Sequence, residues 1–160
     1  LRAFADIVQA VYKPADGGIS GELKAMISNA ASLAAGCMYC VAHTGSTVAR
    51  VGIDEDKVAA IWEFETSDLF TEAERVTLRF AQAAAAVPNM VSDADFDELR
   101  GHYTHFQIVE IVGVIALFGF LNRWNDTLAT ALEEEPIEFA ERTLAGLGWA
   151  GGKHLEPDVG

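Results

Sequence analysis

Residues 21–52 of the chain read GELKAMISNAASLAAGCMYCVAHTGSTVARVG. Apolar side chains recur at helical spacing over 21–36, behind Ser20, which is a favoured N-cap residue. The glycine at the end of this run ends the first helix, and a second helix is expected over 37–51, with a glycine after it. The stretch therefore predicts two consecutive helices joined at a Cys-x-x-Cys sequence.

The rest of the chain has the same periodicity. No stretch of strand length alternates with a period of two, and capping residues precede most of the apolar runs. Glu133–Glu135 is predicted to be a solvated break, because negative charge is unfavourable at the end of the long helix before it. We expect an all-α, single domain of seven or eight helices over 1–150 and a flexible tail over 151–160. The further helices are predicted at 3–12, 54–64, 72–87, 93–103, 104–131 and 137–147.

Composition excludes several classes of function. The chain has 160 residues, 11 Lys+Arg against 24 Asp+Glu, and a formal net charge of −13. Such a charge disfavours binding to nucleic acids and to anionic membranes. A hydrophobic share of 51% excludes a disordered chain. No glycine-rich phosphate-binding loop appears, and we expect no cofactor.

The sequence predicts no membrane span and no secretory signal. The longest uninterrupted apolar run, 111–121, is shorter than the roughly 20 residues that a bilayer helix needs. The first residues lack the apolar segment of a signal peptide, so a cytoplasmic location is expected. The chain does not begin with Met, and residues upstream are not excluded.

Cys37 and Cys40 are the residues with the clearest chemistry. Three residues apart at a helix start, their sulfurs lie on one face and close enough to form a disulfide. The helix N-terminus favours a thiolate at Cys37, which is nearer the end. His43 lies about 60° around the helix from Cys40 but about 120° from Cys37, so it can reach Cys40 alone.

Three interpretations of the cysteine pair compete. A redox-active dithiol is the favoured one, because such a pair in a cytosolic chain is typical of redox motifs. A zinc site would need ligands beyond two cysteines and His43, recruited from His102, His105 or His154, and we expect no metal ion. In the third interpretation both cysteines are small buried residues with no chemistry.

The cysteine segment resembles the carboxymuconolactone decarboxylase and AhpD-like alkylhydroperoxidase family, in particular its peroxidase-related branch. The likeness continues through 64–70 and 116–126 and covers roughly residues 20–136. This resemblance implies an all-helical fold, a homotrimer or homohexamer, and often a redox-active dithiol. It also implies that Cys40 is the cysteine oxidised by peroxide and that Cys37 resolves it to a disulfide.

The function expected from this resemblance is a thiol-dependent peroxidase or disulfide oxidoreductase. Its substrate would be a hydroperoxide or a disulfide, and its thiol reductant is not identified by the sequence. One alternative is a decarboxylase-type lyase that acts on a small acidic lactone. The other is a non-catalytic helical oligomer or zinc-binding module.

The chain departs from the best-known alkylhydroperoxidases at two positions. Thr44 and Ala25 stand where those proteins have a relay histidine and a relay glutamate. His43 and Glu22 are near enough along their helices to substitute for them. If the sequence is aligned with itself at an offset of 85 residues, as a weak internal repeat, Glu110 falls at the position of Ala25. The favoured interpretation of Glu110 is nevertheless a structural carboxylate.

Overall fold

The computed structural model describes residues 2–155, which form eight α-helices and no β-strand. This confirms the predicted all-helical class. Three short 3₁₀ turns follow α4 and α8, at Ile61–Glu63, Ala145–Leu147 and Gly152–His154. The α-helices are α1 Arg2–Tyr12, α2 Gly21–Ala35, α3 Met38–Arg50, α4 Glu55–Ala60, α5 Glu72–Ala85, α6 Asp93–His102, α7 His105–Leu128 and α8 Glu134–Thr143.

Side-chain caps fix most of the helix starts where the sequence places them. Ser20 accepts a hydrogen bond from the Leu23 N–H group, and Thr71 and Ser92 each form a reciprocal capping box. Each of these bonds satisfies a backbone donor that a bare helix start would leave free. The predicted starts of α2, α5 and α6 are therefore confirmed to the residue.

The prediction for Glu133–Glu135 is wrong. These residues do not form a break after α7. Glu133 is the N-cap of α8, and Glu134 and Glu135 lie in the first turn of that helix. Negative charge is favourable at a helix N-terminus. The last helix accordingly begins at Glu134, three residues before the predicted start.

Helix α2 is the centre of the domain. Ten consecutive residues, from Leu23 to Ser32, are buried on all sides of this helix, which packs against α3, α5 and α7. A helix buried all round must find partners for its polar side chains. Lys24 does so through its ammonium, which binds Glu110 of α7 at 2.9 Å and the Val11 and Lys13 carbonyls near the end of α1.

Helix α7 lies against this centre and is unusually apolar. The helix has 24 residues, and judged only by its length and composition it is long and apolar enough to cross a membrane. Seven of them, including Ile111 and Phe118, are buried within the domain. Other apolar residues on α7 are exposed, among them Val109 and Trp124.

The structure describes part of the segment predicted to be a flexible tail. Gly152–His154 forms a 3₁₀ turn, and the Leu132 N–H group donates to the His154 carbonyl at 2.8 Å. The His154 side chain is buried. Residues 156–160 of the predicted tail lie outside the described residues.

Candidate active site

A glycine turn places Cys37 at the start of α3. Gly36 has a φ of 71°, in the left-handed region that a glycine adopts without strain, and its N–H group bonds back to the Leu33 carbonyl. The chain then reverses, so that Cys37 becomes the N-cap of α3 and its sulfur accepts from the Cys40 N–H group at 3.4 Å. Both cysteines are free thiols and are buried.

The pKa values of the two thiols are shifted in opposite directions. The hydrogen bond from the Cys40 thiol lowers the pKa of Cys37, and the N–H groups of Cys40 and Tyr39 lower it further, against burial and the Asp126 charge. The hydrogen bond to Cys37, burial and the Cys37 charge raise the pKa of Cys40. The pair therefore holds its first negative charge on Cys37, as the helix dipole predicts.

Two side chains fix the position of Cys40. The Asn125 amide of α7 donates to the Cys40 sulfur at 3.5 Å, which favours a negative charge on that sulfur. The Thr44 hydroxyl donates to the Cys40 carbonyl at 2.6 Å and accepts from the Asn29 amide at 2.9 Å. Thr44 thus ties α3 to α2 at the position where the resembling peroxidases carry a relay histidine.

Cys40 also lines a cavity of about 670 Å³ between α1, α2, α3 and α7. This volume is in the range of small-molecule sites. Cys37 is not among the described residues that line it. The wall is mostly apolar, and its aromatic members are Phe4, Tyr12, Tyr39, Phe118, Phe120 and Trp124.

His43 lines the same cavity as Cys40, but no hydrogen bond joins its ring to the Cys40 sulfur among residues 2–155. Its ring stacks on Tyr39, with centroids 5.5 Å apart, and its Nε2 lies 3.5 Å from a Glu133 carboxylate oxygen. The imidazole is 41% exposed. Burial and the neighbouring Glu133 carboxylate raise the pKa of Tyr39 to about 12.

The acidic residues considered as relay substitutes lie elsewhere. Ala25 faces the cavity next to Ser28, whose hydroxyl bonds to Tyr12. Glu22 is exposed in the first turn of α2. Glu110 accepts from the Lys24 ammonium and from the Ile19 N–H group at 2.8 Å, as a structural carboxylate does.

A second group of polar side chains lies near Cys37. A ring nitrogen of His154, a carboxylate oxygen of Asp126 and the Cys37 sulfur are all within 4.8 Å of one another. The same Asp126 oxygen that lies near His154 is also 3.1 Å from the Lys153 ammonium. A cation already holds that oxygen, so these three donors do not fit a metal ion well. His102 and His105, the other candidate zinc ligands, are exposed around the α6–α7 junction.

Sequence reasoning missed Asn125 and Asp126 as neighbours of the cysteines, and it considered His154 only as one of three possible zinc ligands. Asn125 and Asp126 lie within one of the segments that carry the family resemblance, which was the available signal. His154 lies in a glycine-rich segment with no helical pattern, and nothing local to it indicates that its side chain is buried.

Comparison with known proteins adds a family and several relatives. The model of the carboxymuconolactone decarboxylase family matches residues 1–83. The uncharacterized protein YnjA of Escherichia coli (strain K12) is 32% identical over 92 residues, which are 58% of this chain and 50% of that protein. The chain thus spans about half the length of this curated relative.

Two solved structures resemble the whole fold. The debrominase Bmp8 is 37% identical, with a TM-score of 0.82 over 89% of this chain and 75% of its own. A Bmp8 variant in which one cysteine is replaced by alanine, 36% identical to this chain, is known in complex with 2,3,4-tribromopyrrole. An uncharacterized peroxidase-related protein from Ralstonia eutropha JMP134, described as an alkylhydroperoxidase AhpD core, is 27% identical, with a TM-score of 0.77 over 87% of this chain and 72% of its own.

Proposed function

Since the chain belongs to the carboxymuconolactone decarboxylase family, we propose that it is a thiol-dependent oxidoreductase of the AhpD-like kind. In this proposal Cys40 attacks an apolar hydroperoxide in the cavity, and Cys37 then closes a disulfide with it. A thiol reductant, of a kind that the site does not identify, returns the pair to the dithiol.

The observation that carries the proposal is the division of the cysteine pair between two environments. Cys40 lines the cavity, so a bound molecule can approach its sulfur. Cys37 lies behind it, fully buried, with the lower pKa of the two. Transfer of the Cys40 proton to the Cys37 thiolate is uphill because Cys37 has the lower pKa, so the Cys40 thiolate is a minor form. The Asn125 amide stabilises this reactive form by its hydrogen bond to the Cys40 sulfur.

The proposed reaction with a hydroperoxide has two steps. The Cys40 thiolate attacks the outer peroxide oxygen, the O–O bond breaks, and the departing alkoxide takes a proton to become the alcohol. Cys40 is then a sulfenic acid. The Cys37 sulfur attacks the Cys40 sulfur, the S–O bond breaks, and the hydroxide leaves as water after protonation.

A second candidate substrate is a small halogenated aromatic molecule. The aromatic lining of the cavity favours a flat apolar ring, and the Bmp8 variant described above is known in complex with 2,3,4-tribromopyrrole. Here the Cys40 thiolate would attack the halogen and the carbon–halogen bond would break. The ring carbon would take a proton, and Cys37 would release the halide as the disulfide forms.

The family's decarboxylase activity finds less support in the cavity. A carboxylated lactone is an anion, and no Lys or Arg occurs among the described residues of the wall. Of these residues, His43 is the only one that can carry a positive charge. That activity would also leave the cysteine pair without a role.

The test is a single turnover of the reduced protein with one equivalent of cumene hydroperoxide, of 2,3,4-tribromopyrrole or of a carboxylated lactone. Thiols are counted before and after each reaction, and the products are identified by mass spectrometry. We expect loss of both thiols with the hydroperoxide and their return with a dithiol reductant. Loss of both thiols with the bromopyrrole alone would support the second candidate.

Two serine variants assign the roles within the pair. Cys40→Ser should consume no peroxide. Cys37→Ser should complete one turnover, more slowly because no Cys37 thiolate takes the Cys40 proton, and leave a sulfenic acid on Cys40. A sulfenic acid trapped only on Cys37, in the Cys40→Ser variant, would reverse the assignment. If no substrate oxidises either thiol, the proposed function is wrong.

We also propose that the chain forms a homotrimer or homohexamer. Apolar side chains on α7 that are 41–61% exposed and lie outside the wall of the Cys40 cavity include Phe106, Val109, Val112 and Leu128. A set of this size on one helix is typical of a surface covered by another subunit.

A further inference from the structure

His154 is a buried histidine that the proposed mechanism has not used. It lies in the 3₁₀ turn Gly152–His154 and is 2% exposed. Its Nδ1 lies 2.9 Å from the Thr130 carbonyl oxygen. A carbonyl only accepts hydrogen bonds, so Nδ1 carries the proton of the neutral ring, and Nε2 holds a lone pair.

The His154 ring lies close to Asp126 and to Cys37. Nε2 makes no hydrogen bond with any of residues 2–155 and lies 3.5 Å from Asp126 Oδ1. A ring nitrogen of His154, an Asp126 carboxylate oxygen and the Cys37 sulfur all lie within 4.8 Å of one another. One water, or a small movement of the side chain, brings such a pair into proton-transfer distance.

Cys37 needs a proton acceptor on this side. Once it has taken the Cys40 proton it is a neutral thiol, and a thiol attacks a sulfenic acid far more slowly than a thiolate does. Among the described residues His43 lines the cavity with Cys40, whereas His154 lies with Cys37 and Asp126. A different histidine therefore lies on the side of each cysteine, His43 in the cavity that Cys40 lines and His154 near Cys37.

We propose that His154 is the base that takes the proton of Cys37 when the disulfide forms, and the acid that returns it to the leaving group. This inference rests on the proposed function. The Cys37 proton moves to Nε2, and the Cys37 sulfur attacks the sulfur of Cys40. The S–O bond of the sulfenic acid breaks, and the departing hydroxide takes the proton from the imidazolium to become water.

Two charged groups lie next to the His154 ring. The Asp126 carboxylate is 3.5 Å from Nε2 and can accept a hydrogen bond from it, and the Lys153 ammonium is 3.1 Å from that carboxylate. The Tyr39 ring packs against His154, with centroids 5.8 Å apart. Glu133 is the further charge on that side, through its hydrogen bond from Tyr39.

The test isolates the Cys37 step from any particular substrate. Methyl methanethiosulfonate transfers a methylthio group to Cys40, and release of methanethiol then reports the attack by Cys37. The rate of this release is measured against pH for the wild type, for His154→Asn and for the control His102→Asn, which changes an exposed histidine. Asparagine keeps an N–H donor for the Thr130 carbonyl but has no basic nitrogen.

We expect His154→Asn to slow methanethiol release at neutral pH by on the order of 10²-fold, the usual contribution of a general base. The difference should shrink at alkaline pH, where Cys37 ionises without help. His102→Asn should match the wild type. His154→Gln serves as a second variant if the asparagine variant melts at a much lower temperature.

Equal rates and pH profiles in the wild type and the folded His154 variants would overturn the inference. So would a slower rate of the same proportion at every pH, because that is the effect of a merely structural residue. A wild type that releases methanethiol through His154 but reacts with no hydroperoxide or bromopyrrole would refute the proposed function and leave this inference standing.

Discussion

Replacing Lys24 by methionine should destabilise the domain and loosen one wall of the cavity. The Lys24 side chain is 1% exposed and its Glu110 partner 14% exposed, so the pair is largely out of water. The methionine fills most of the space but leaves a buried carboxylate without its counter-charge and the Val11 carbonyl without its donor. Breaking one side of such a pair costs about 3–5 kcal/mol.

The lower end of that range applies, because the Ile19 N–H group still donates to Glu110 and because that carboxylate retains some contact with water. For a domain of this size, about 3 kcal/mol corresponds to a fall in melting temperature of roughly 6–12 °C. Urea denaturation and a thermal melt measure both quantities. The control is Arg100→Met, which breaks the exposed pair with Asp97 and should cost about 1 kcal/mol or less.

The same substitution tests the link to function. Lys24 holds the end of α1, and α1 supplies Phe4, Val8 and Tyr12 to the cavity wall. We therefore expect weaker binding of the hydroperoxide, seen as a higher KM, with little change in kcat. A loss below about 1 kcal/mol would refute the reasoning. So would a double variant, Lys24→Met with Glu110→Leu, that is no more stable than the single one.

Four further predictions use other contacts. Burial raises the pKa of Glu110, but the hydrogen bonds from Lys24 and Ile19 outweigh burial and lower this pKa below 4.5. Glu110→Gln should therefore lower the stability of the protein by its full amount above pH 4.5. The loss should become smaller as the pH falls through the folded-state pKa, measured by thermal melts in acid. Cys40→Ala removes the thiol donor to Cys37 and should raise the Cys37 pKa more than Cys40→Ser does, measured by thiolate absorbance. Thr44→Val should cost about 1–2 kcal/mol in urea denaturation, because it removes a buried acceptor and donor. Sedimentation should give an oligomer rather than a 17.2 kDa species, and Val112→Glu should dissociate it.

The elements that depend on neighbouring residues could be predicted from the sequence. The caps at Ser20, Thr71 and Ser92 act on residues two or three positions away, so a local pattern contains all the required information. The position of Cys37 at a helix start follows in the same way from the glycine before it. Glu133–Glu135 shows the limit of such reasoning, because the same charges are unfavourable at the end of one helix and favourable at the start of the next.

What the sequence could not predict depends on contacts between distant residues. Lys24 is buried in a central helix because its partner is 86 positions away. Asn125 reaches Cys40 across 85 positions, and His154 lies against residues of α3 and α7 from beyond the last helix. Hydropathy alone would assign Lys24 to the surface and His154 to a flexible tail.

The position of the Cys37 sulfur as the N-cap of α3 has a consequence for the reduction potential of the pair. In the dithiol form a negative charge on this sulfur is stabilised by the N–H groups and the dipole of the helix, and a disulfide sulfur carries no such charge. Stabilising the reduced form makes a disulfide a stronger oxidant. The proposed Cys37–Cys40 disulfide should therefore be easy to reduce, and a mild thiol donor should suffice to restart the cycle.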